Sequence, residues 1–376
     1  MFNQDMVLQR MESLQHPNGA FIAAPTRDYS WLWLRDHLYM TYTYYYLGHF
    51  VNKNYYEKLN QGVRIAFDVL DRQHHKLERT IHPRDHTGKL IVHDLIHAKY
   101  DPMTLNEVTL DWGHHQLDAV GLFLHMIADL DMKNCLIQLS KRDRKILQLL
   151  IFYVQNVRYW IDPDNGMWEE CLIRRSSSIG PVVRGLSYND ERGLAIIPSD
   201  LITIGKNSLL SILPFESRDR CGNPQHRHDC DAAQLFLIWP YNVVDRETAD
   251  IILTRIIHGH PHTHTAEYGP SLEFHRLVQP LGVNRYWGDG YYRSRNGISA
   301  QWQWDFLISI IYTNRKEYDE AVRWFNRGSS RITAEHCITE AYVDDKPNDH
   351  TPLGWMHALA IIAYLKLPDE YKKQII

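Results

Sequence analysis

A chain of 376 residues is long enough for a large buried core, and its 41 Lys and Arg against 45 Asp and Glu leave a formal charge of −4 with both signs interspersed. That pattern makes no basic face, so neither nucleic acid nor a membrane surface is expected as a partner. The first residues lack the basic-then-apolar order of a signal peptide and no run of 18 apolar residues occurs, which predicts a cytoplasmic protein.

Apolar residues recur at helical spacing over 56–74, 114–131, 142–160, 231–239, 246–258, 302–312, 317–326 and 354–366, with Gly, Pro, Asn and Asp clusters between them. Leu147, Leu150, Ile151, Val154 and Val157 form the single stripe of 142–160, whereas 353–366 is apolar on most faces. The first pattern suits an outer layer and the second an inner one, so two helical layers are expected. No linker, low-complexity run or short repeat marks a boundary, which leaves one domain over 1–376 as the simplest reading. The stretch 174–230 is the least periodic and is expected as irregular chain that shapes or covers a site. The five cysteines, odd in number and scattered, are expected as free thiols.

Aromatic residues make up 12% of the chain, with 11 Trp and 22 Tyr, and several stand beside charged groups at turns. Trp31-Leu32-Trp33-Leu34-Arg35-Asp36-His37 sets two indoles beside an Arg–Asp pair that can both donate to and accept from sugar hydroxyls. The plainer alternative is an ion pair that locks a helix start. Asp111-Trp112-Gly113-His114-His115-Gln116-Leu117-Asp118 repeats the theme, as does Asn284-Arg285-Tyr286-Trp287-Gly288-Asp289. Each is weak alone; their recurrence beside helical segments predicts one cleft fed by several loops.

The sharpest local signal is Asp164-Asn165-Gly166-Met167-Trp168-Glu169-Glu170, a turn that delivers an indole and two adjacent carboxyls. Glycosidic hydrolysis needs one carboxyl kept protonated near neutral pH, and an apolar neighbour such as Trp168 raises a carboxyl pKa by desolvation. Two solvated surface glutamates are the bland reading of the same residues. A second carboxyl must serve the other face of the sugar, and here Glu340 and Glu335 compete without the spacing deciding between them. Cys221, His226, His228 and Cys230, and the run His258, His260, His262 and His264, do not have the spacing of a common zinc site, and no metal is expected. No phosphate-cradling Gly-rich loop or Gly-x-Ser-x-Gly elbow occurs, and no cofactor is expected.

Taken in order, these clusters resemble glycoside hydrolase family 15, the glucoamylase family, from about residue 18 to residue 366. Trp33, Arg35 and Asp36 match its Trp-x-Arg-Asp, which implies contact with the terminal glucose. Trp112, Gly113, Gln116 and Asp118 match Trp-Gly-x-x-Gln-x-Asp, whose Trp lines the cleft near the acid. Met167-Trp168-Glu169-Glu170 departs from Leu-Trp-Glu-Glu only at the first position, which implies Glu169 as general acid and Trp168 and Glu170 as substrate-binding residues. Arg285-Tyr286-Trp287-Gly288-Asp289 is similar to Arg-Tyr-Pro-x-Asp with Trp287 in the place of Pro, and implies that Arg285 contacts sugar hydroxyls. Glu340-Ala341-Tyr342, ahead of Trp355 and Ala358, matches the family's Glu-x-Tyr before a Trp-x-x-Ala helix, and so implies Glu340 over Glu335 as general base.

His97-Ala98-Lys99-Tyr100 and the Trp112-Gly113-His114 form are especially similar to the glucoamylase-like region of phosphorylase kinase α and β subunits. The resemblance implies an all-α (α/α)6 barrel that hydrolyses an α-1,4- or α-1,6-linked glucose oligosaccharide with inversion and without a metal. An inverting pair of carboxyls stands roughly 6.5–9.5 Å apart. A non-catalytic glucan-sensing module stays open as an alternative, as does a trehalase or glucosyltransferase on the same barrel.

Overall fold

The computed structural model describes residues 2–80, 84–91, 94–110, 112–219, 227–259, 276–292, 297 and 299–376. Six helices close a ring, each touching the next: α2 (Leu34–Phe50), α5 (Leu117–Met132), α7 (Ser176–Arg192), α9 (Leu235–Ile238), α11 (Asp305–Asn314) and α13 (Gly354–Lys366), which returns to α2. Outside them α3 (Tyr55–Arg72), α6 (Lys141–Asn156), α8 (Leu201–Ile212), α10 (Arg246–His258) and α12 (Tyr318–Ser329) pack on α2, α5, α7, α9 and α11, and α1 (Gln4–Glu12) packs on α13. This is the expected (α/α)6 barrel. Two short helices, α4 (His74–Arg79) and α14 (Asp369–Lys372), add to the outside.

The layers follow from side-chain pattern. Helix α2 buries 15 of its 17 residues and α13 buries 11 of 13, because both are walled on every side. By contrast α6 buries 7 of 16 and α12 buries 5 of 12, each along one stripe. A capping box at Ser140 and Asp143 starts α6. Among the described residues no helix is long and apolar enough to cross a membrane.

Several sequence expectations need correction. The stretch 174–230, expected as irregular, contains α7 and α8. Helix α7 begins Ser-Ser-Ser-Ile-Gly-Pro, poor in helix formers, and is held by packing against α5 rather than by propensity. The segment 231–239, expected as one helix, is the end of strand β3 (Arg227–Asp231), a 3-10 turn at Ala232–Gln234, and the single turn of α9, which stops at Trp239-Pro240. The segment 142–160 is helical only to Asn156, and the chain then turns through Arg158 at φ +48°. Cys171, expected as a free thiol, is disulfide-bonded, whereas Cys135, Cys230 and Cys337 are free. An odd total rules out complete pairing but not one bridge. Cys221, His226, His260, His262 and His264 lie outside the described residues.

Short strands, absent from an all-α reading, tie the connections together at the N-terminal ends of the inner helices. β1 (Leu32–Trp33) pairs antiparallel with β2 (Lys99–Tyr100), with Trp33 opposite Lys99. β3 pairs with β6 (Tyr286–Trp287) and sets Asp231 opposite Tyr286. β4 (Val278–Gln279), β5 (Gly282–Val283), β7 (Gln301–Trp302), β8 (Ala341–Val343) and β9 (Lys346–Pro347) form one antiparallel sheet in that order. In it Trp302 faces Ala341, which fixes Glu340 at the start of β8.

Helices α5 and α7 approach closely where Gly121 meets Pro181. A Cβ at Gly121 would stand 2.5 Å from both the Pro181 Cβ and the Val182 nitrogen. Backbone cannot swing aside as a side chain does, so Gly121→Ala should push the two helices apart and cost about 1–3 kcal/mol. Urea denaturation checks this; an unchanged midpoint would contradict the close approach.

Candidate active site

The nine residues singled out from the sequence all line one cavity of about 250 Å³: Trp33, Arg35, Asp36, Trp112, Trp168, Glu169, Glu170, Arg285 and Glu340. They arrive on different connections. Trp33 caps α2, and Arg35 and Asp36 lie in its first turn. Trp112 precedes α5, Glu169 and Glu170 precede α7, Arg285 and Trp302 precede α11, and Glu340 and Leu353 precede α13. Glu335, the competitor of Glu340, is exposed at the surface and outside the cavity.

The loop that carries Glu169 is held from both sides. A bridge joins Asp164 to Ile173 at its base. The buried Arg175 guanidinium donates to the carbonyls of Asp164, Ile173 and Cys171 at 2.5, 3.2 and 2.8 Å. Asn165 Nδ2 donates to the Glu170 carbonyl at 2.6 Å, and the Asn165 carbonyl accepts the Glu170 N–H at 3.1 Å. This bracing keeps Glu169 at φ +62°, in the left-handed region where a side chain costs of order 1–3 kcal/mol. Gly113 fits beneath the loop because a Cβ there would meet the Glu169 carbonyl oxygen at 2.4 Å.

Each oxygen of Glu169 accepts one indole N–H: Trp33 Nε1 donates to Oε1 and Trp112 Nε1 to Oε2, both at 2.7 Å. The Arg35 Nη2 stands 3.7 Å from Oε1, while its Nη1 donates at 3.0 Å to both Gln116 and Asp118. Burial raises the Glu169 pKa above the usual carboxylate range, against the opposing pull of Arg35, the two indoles and Lys99. The apolar wall around Glu169 therefore includes Trp33 and Trp112 as direct partners. Trp168, which the sequence suggested for that part, instead donates its N–H to Asp231 at 2.8 Å and lies on the cavity wall against Trp302 and Trp304.

Glu340 is 2% exposed, and its two oxygens are separately held: the Tyr29 hydroxyl donates to Oε1 at 2.8 Å and Asn348 Nδ2 to Oε2 at 2.6 Å. Burial pushes its carboxyl up to about 7, against the pull of those two donors and of Arg285. Asp36 is likewise pushed up to about 7 by burial, against the charge of Arg35. Glu169 and Glu340 belong to separate hydrogen-bond sets, and the Tyr29 and Trp33 rings that donate to Glu340 and Glu169 stand with centroids 5.2 Å apart.

Arg285 is 3% exposed and grips Asp289 through Nε and Nη2, both at 2.7 Å. Its Nη2 also donates to Glu170 Oε1 at 2.9 Å, and the Tyr286 hydroxyl reaches both Glu170 oxygens at 2.8 Å. The loop thus keeps Arg285 beside the cavity although Trp287 stands where the resembling family has Pro. Tyr29 and Asn348 are not singled out by the sequence, and Tyr286 enters there only as part of the Arg285 cluster. Tyr29 follows Arg27-Asp28 just before the first Trp cluster, and Asn348 sits in the polar loop after Glu340; tyrosine and asparagine in loops are too common to stand out. His228 and Cys230, the described members of the Cys/His set, are buried: His228 Nδ1 pairs with Asp231 at 3.1 Å and Cys230 is a free thiol.

Residues 2–187, just under half of the chain, match the sequence model of glycosyl hydrolases family 15. The whole chain aligns in three dimensions with a glycosidase solved in complex with glucose, at a TM-score of 0.76 and 15% identity, covering 99% of this chain and 96% of that one. It aligns also with the glucoamylase of Hormoconis resinae at a TM-score of 0.63 and 14% identity, over 98% and 73% of the two chains. In sequence it is 28% identical over 232 residues to the liver isoform of the Mus musculus phosphorylase b kinase regulatory subunit alpha. That match covers 56% of this chain and only 18% of the subunit, so the chain spans less than a fifth of this relative. The protein therefore has the glucoamylase-like (α/α)6 barrel of glycosyl hydrolases family 15 and carries that family's sequence pattern across residues 2–187.

Proposed function

We propose that the chain, as one catalytic unit over 1–376, is an inverting exo-acting α-glucosidase that releases β-glucose from the non-reducing end of α-1,4- or α-1,6-linked glucose oligosaccharides. The observation that carries this reading is the pair Glu169 and Glu340, two carboxyls raised by burial, on one small cavity and each with its own donors. At about 250 Å³ the cavity falls just below the usual range of ligand pockets, roughly 300–1,000 Å³, which suits one terminal sugar ring better than a threaded chain.

In this mechanism Glu169 gives its proton to the glycosidic oxygen as the bond to the anomeric carbon breaks. The carboxylate left behind keeps both indole N–H bonds, and such donors bind an anion more strongly than a neutral acid. They therefore stabilise the state after proton transfer more than the state before it. Glu340, ionised, takes a proton from a water that attacks the opposite face of the sugar, and the product leaves inverted. Arg35, Asp36, Glu170 and Arg285 grip the hydroxyls of the terminal ring, Arg285 also orienting Glu170, and Trp33, Trp112 and Trp168 cover its apolar faces.

A regulatory, non-catalytic reading has one finding in its favour, the likeness to a phosphorylase b kinase regulatory subunit. Glucose release from maltose, isomaltose, maltotetraose and trehalose separates the readings. The hydrolase releases glucose from at least one α-glucan, whereas a sensor binds without turnover and a trehalase cleaves only trehalose.

Glu169→Gln and Glu340→Gln should each lower kcat by roughly 10²–10⁴-fold while circular dichroism stays that of the wild type, because amides keep the shape and cannot transfer the proton. Full activity in either variant would remove that residue from its role.

Because the base works ionised and the acid protonated, the ascending limb of the rate should follow the ionisation of Glu340, raised by burial to about 7, and the descending limb should follow the loss of the proton that Glu169 must give, whose pKa burial also raises. Tyr29→Phe deletes a donor that favours the Glu340 carboxylate, so its pKa rises and the ascending limb moves to higher pH. A pH–rate profile of kcat/KM checks the direction; a limb that stays in place or moves to lower pH would contradict it.

A further inference from the structure

The two indoles that hold Glu169 share a third neighbour. Lys99 Nζ stands 4.5 Å from the Trp33 ring centroid and 5.1 Å from that of Trp112. Its place follows from strand register: Lys99 lies directly opposite Trp33 in the antiparallel pair β1–β2, and opposed residues project on the same face. Lys99 is 6% exposed and does not line the cavity. Among the described residues its ammonium donates to no hydrogen-bond acceptor, so the two π-faces are its direct partners.

Burying an ammonium is expensive unless something offsets the lost hydration. Burial does weaken the hold of Lys99 on its proton, while the charges of Glu169 and Asp28 strengthen it. A cation over an indole face is attracted to the ring quadrupole, by about 2 kcal/mol or more where water is excluded. It also draws electron density from the ring, which makes the in-plane indole N–H a stronger donor to an acceptor at the ring edge. Both effects act on the two N–H groups that end on Glu169.

We infer that Lys99 is a positioning residue for Glu169: its ammonium pins the Trp33 and Trp112 rings by their faces and strengthens both indole N–H bonds to that carboxyl. The inference rests on Glu169 being the acid of the proposed reaction. The other groups that bear on Glu169 are Arg35 and Asp36 from α2, and Tyr29 and Tyr291 from the loops. Arg35 favours the carboxylate, Asp36 opposes it when ionised, and the two phenols stay neutral because burial raises their pKa values. Lys99 is the cation that acts through the rings rather than across the cavity.

The test is Lys99→Met, which keeps the length and removes the charge, with Lys99→Arg as the conservative partner. Carbon-13 NMR of labelled glutamate carboxyls, with the signal assigned by Glu169→Gln, follows the titration of Glu169 without any need for turnover. Losing the cation should raise the pH at which Glu169 titrates by about one unit, the low end for an opposite charge removed from nearby. The descending limb of the kcat profile should move up by the same amount, and kcat should fall several-fold with KM little changed, since Lys99 does not touch the sugar cavity. Lys99→Arg should restore most of both.

An unmoved Glu169 titration in Lys99→Met would overturn the inference, as would a rise in KM as large as the fall in kcat. Should the Met variant fail to fold, Lys99→Gln removes the same charge with a polar end and is read in the same way. A wild-type protein without glucosidase activity would overturn the acid role of Glu169 and leave the NMR titration to decide whether Lys99 governs it.

Discussion

Burial favours the protonated form of Glu169 while two indole N–H groups and a guanidinium pull the other way, and much of the surrounding structure maintains that opposition. Without burial the carboxyl would ionise in the ordinary range and, in the proposed reaction, have no proton to give. Without the donors, the anion formed on giving it would stand in an apolar wall with nothing to stabilise it. The left-handed backbone at Glu169 belongs to the same arrangement. It is unfavourable locally and persists because Arg175, Asn165 and the close approach of Gly113 hold the loop from beneath.

The barrel supplies this loop with a rigid frame. Inner helices are walled in and hold one another, so the connections at their N-terminal ends are free to carry chemistry. Helix N-termini also bear a partial positive charge, and Arg35 and Asp36 lie in the first turn of α2. An acidic side chain in such a turn is favoured. The strands add what helices cannot: the pairing of Trp33 with Lys99, of Asp231 with Tyr286, and of Trp302 with Ala341 brings residues far apart in sequence to one wall.

How much could be read from sequence depended on exposure. Helices α3, α6 and α12 have one wet face and so an apolar stripe, and they were legible with small errors at their ends. Helix α2, Leu-Arg-Asp-His-Leu-Tyr-Met-Thr-Tyr-Thr-Tyr-Tyr-Tyr, is buried throughout and shows no stripe, and α7 opens with serines, Gly and Pro that favour turns. Both are set by tertiary packing, which local pattern does not report. Two-residue strands have no periodicity to detect. The cavity residues were legible because Trp, Arg and Glu together at turns are uncommon, and resemblance to family 15 put them in order. What the sequence could not say was pairing: that Trp33 and Trp112 rather than Trp168 hold Glu169, or that Tyr29 and Asn348 hold Glu340.

The central claim, that these two carboxyls act on opposite faces of one sugar, is tested most directly by the stereochemistry of the product. Proton NMR of glucose freed from the non-reducing end of maltotriose or isomaltotriose, recorded before mutarotation, distinguishes the anomers. The account predicts β-glucose first, with the α form growing in only as the sugar equilibrates. Initial release of α-glucose would contradict single displacement by Glu169 and Glu340.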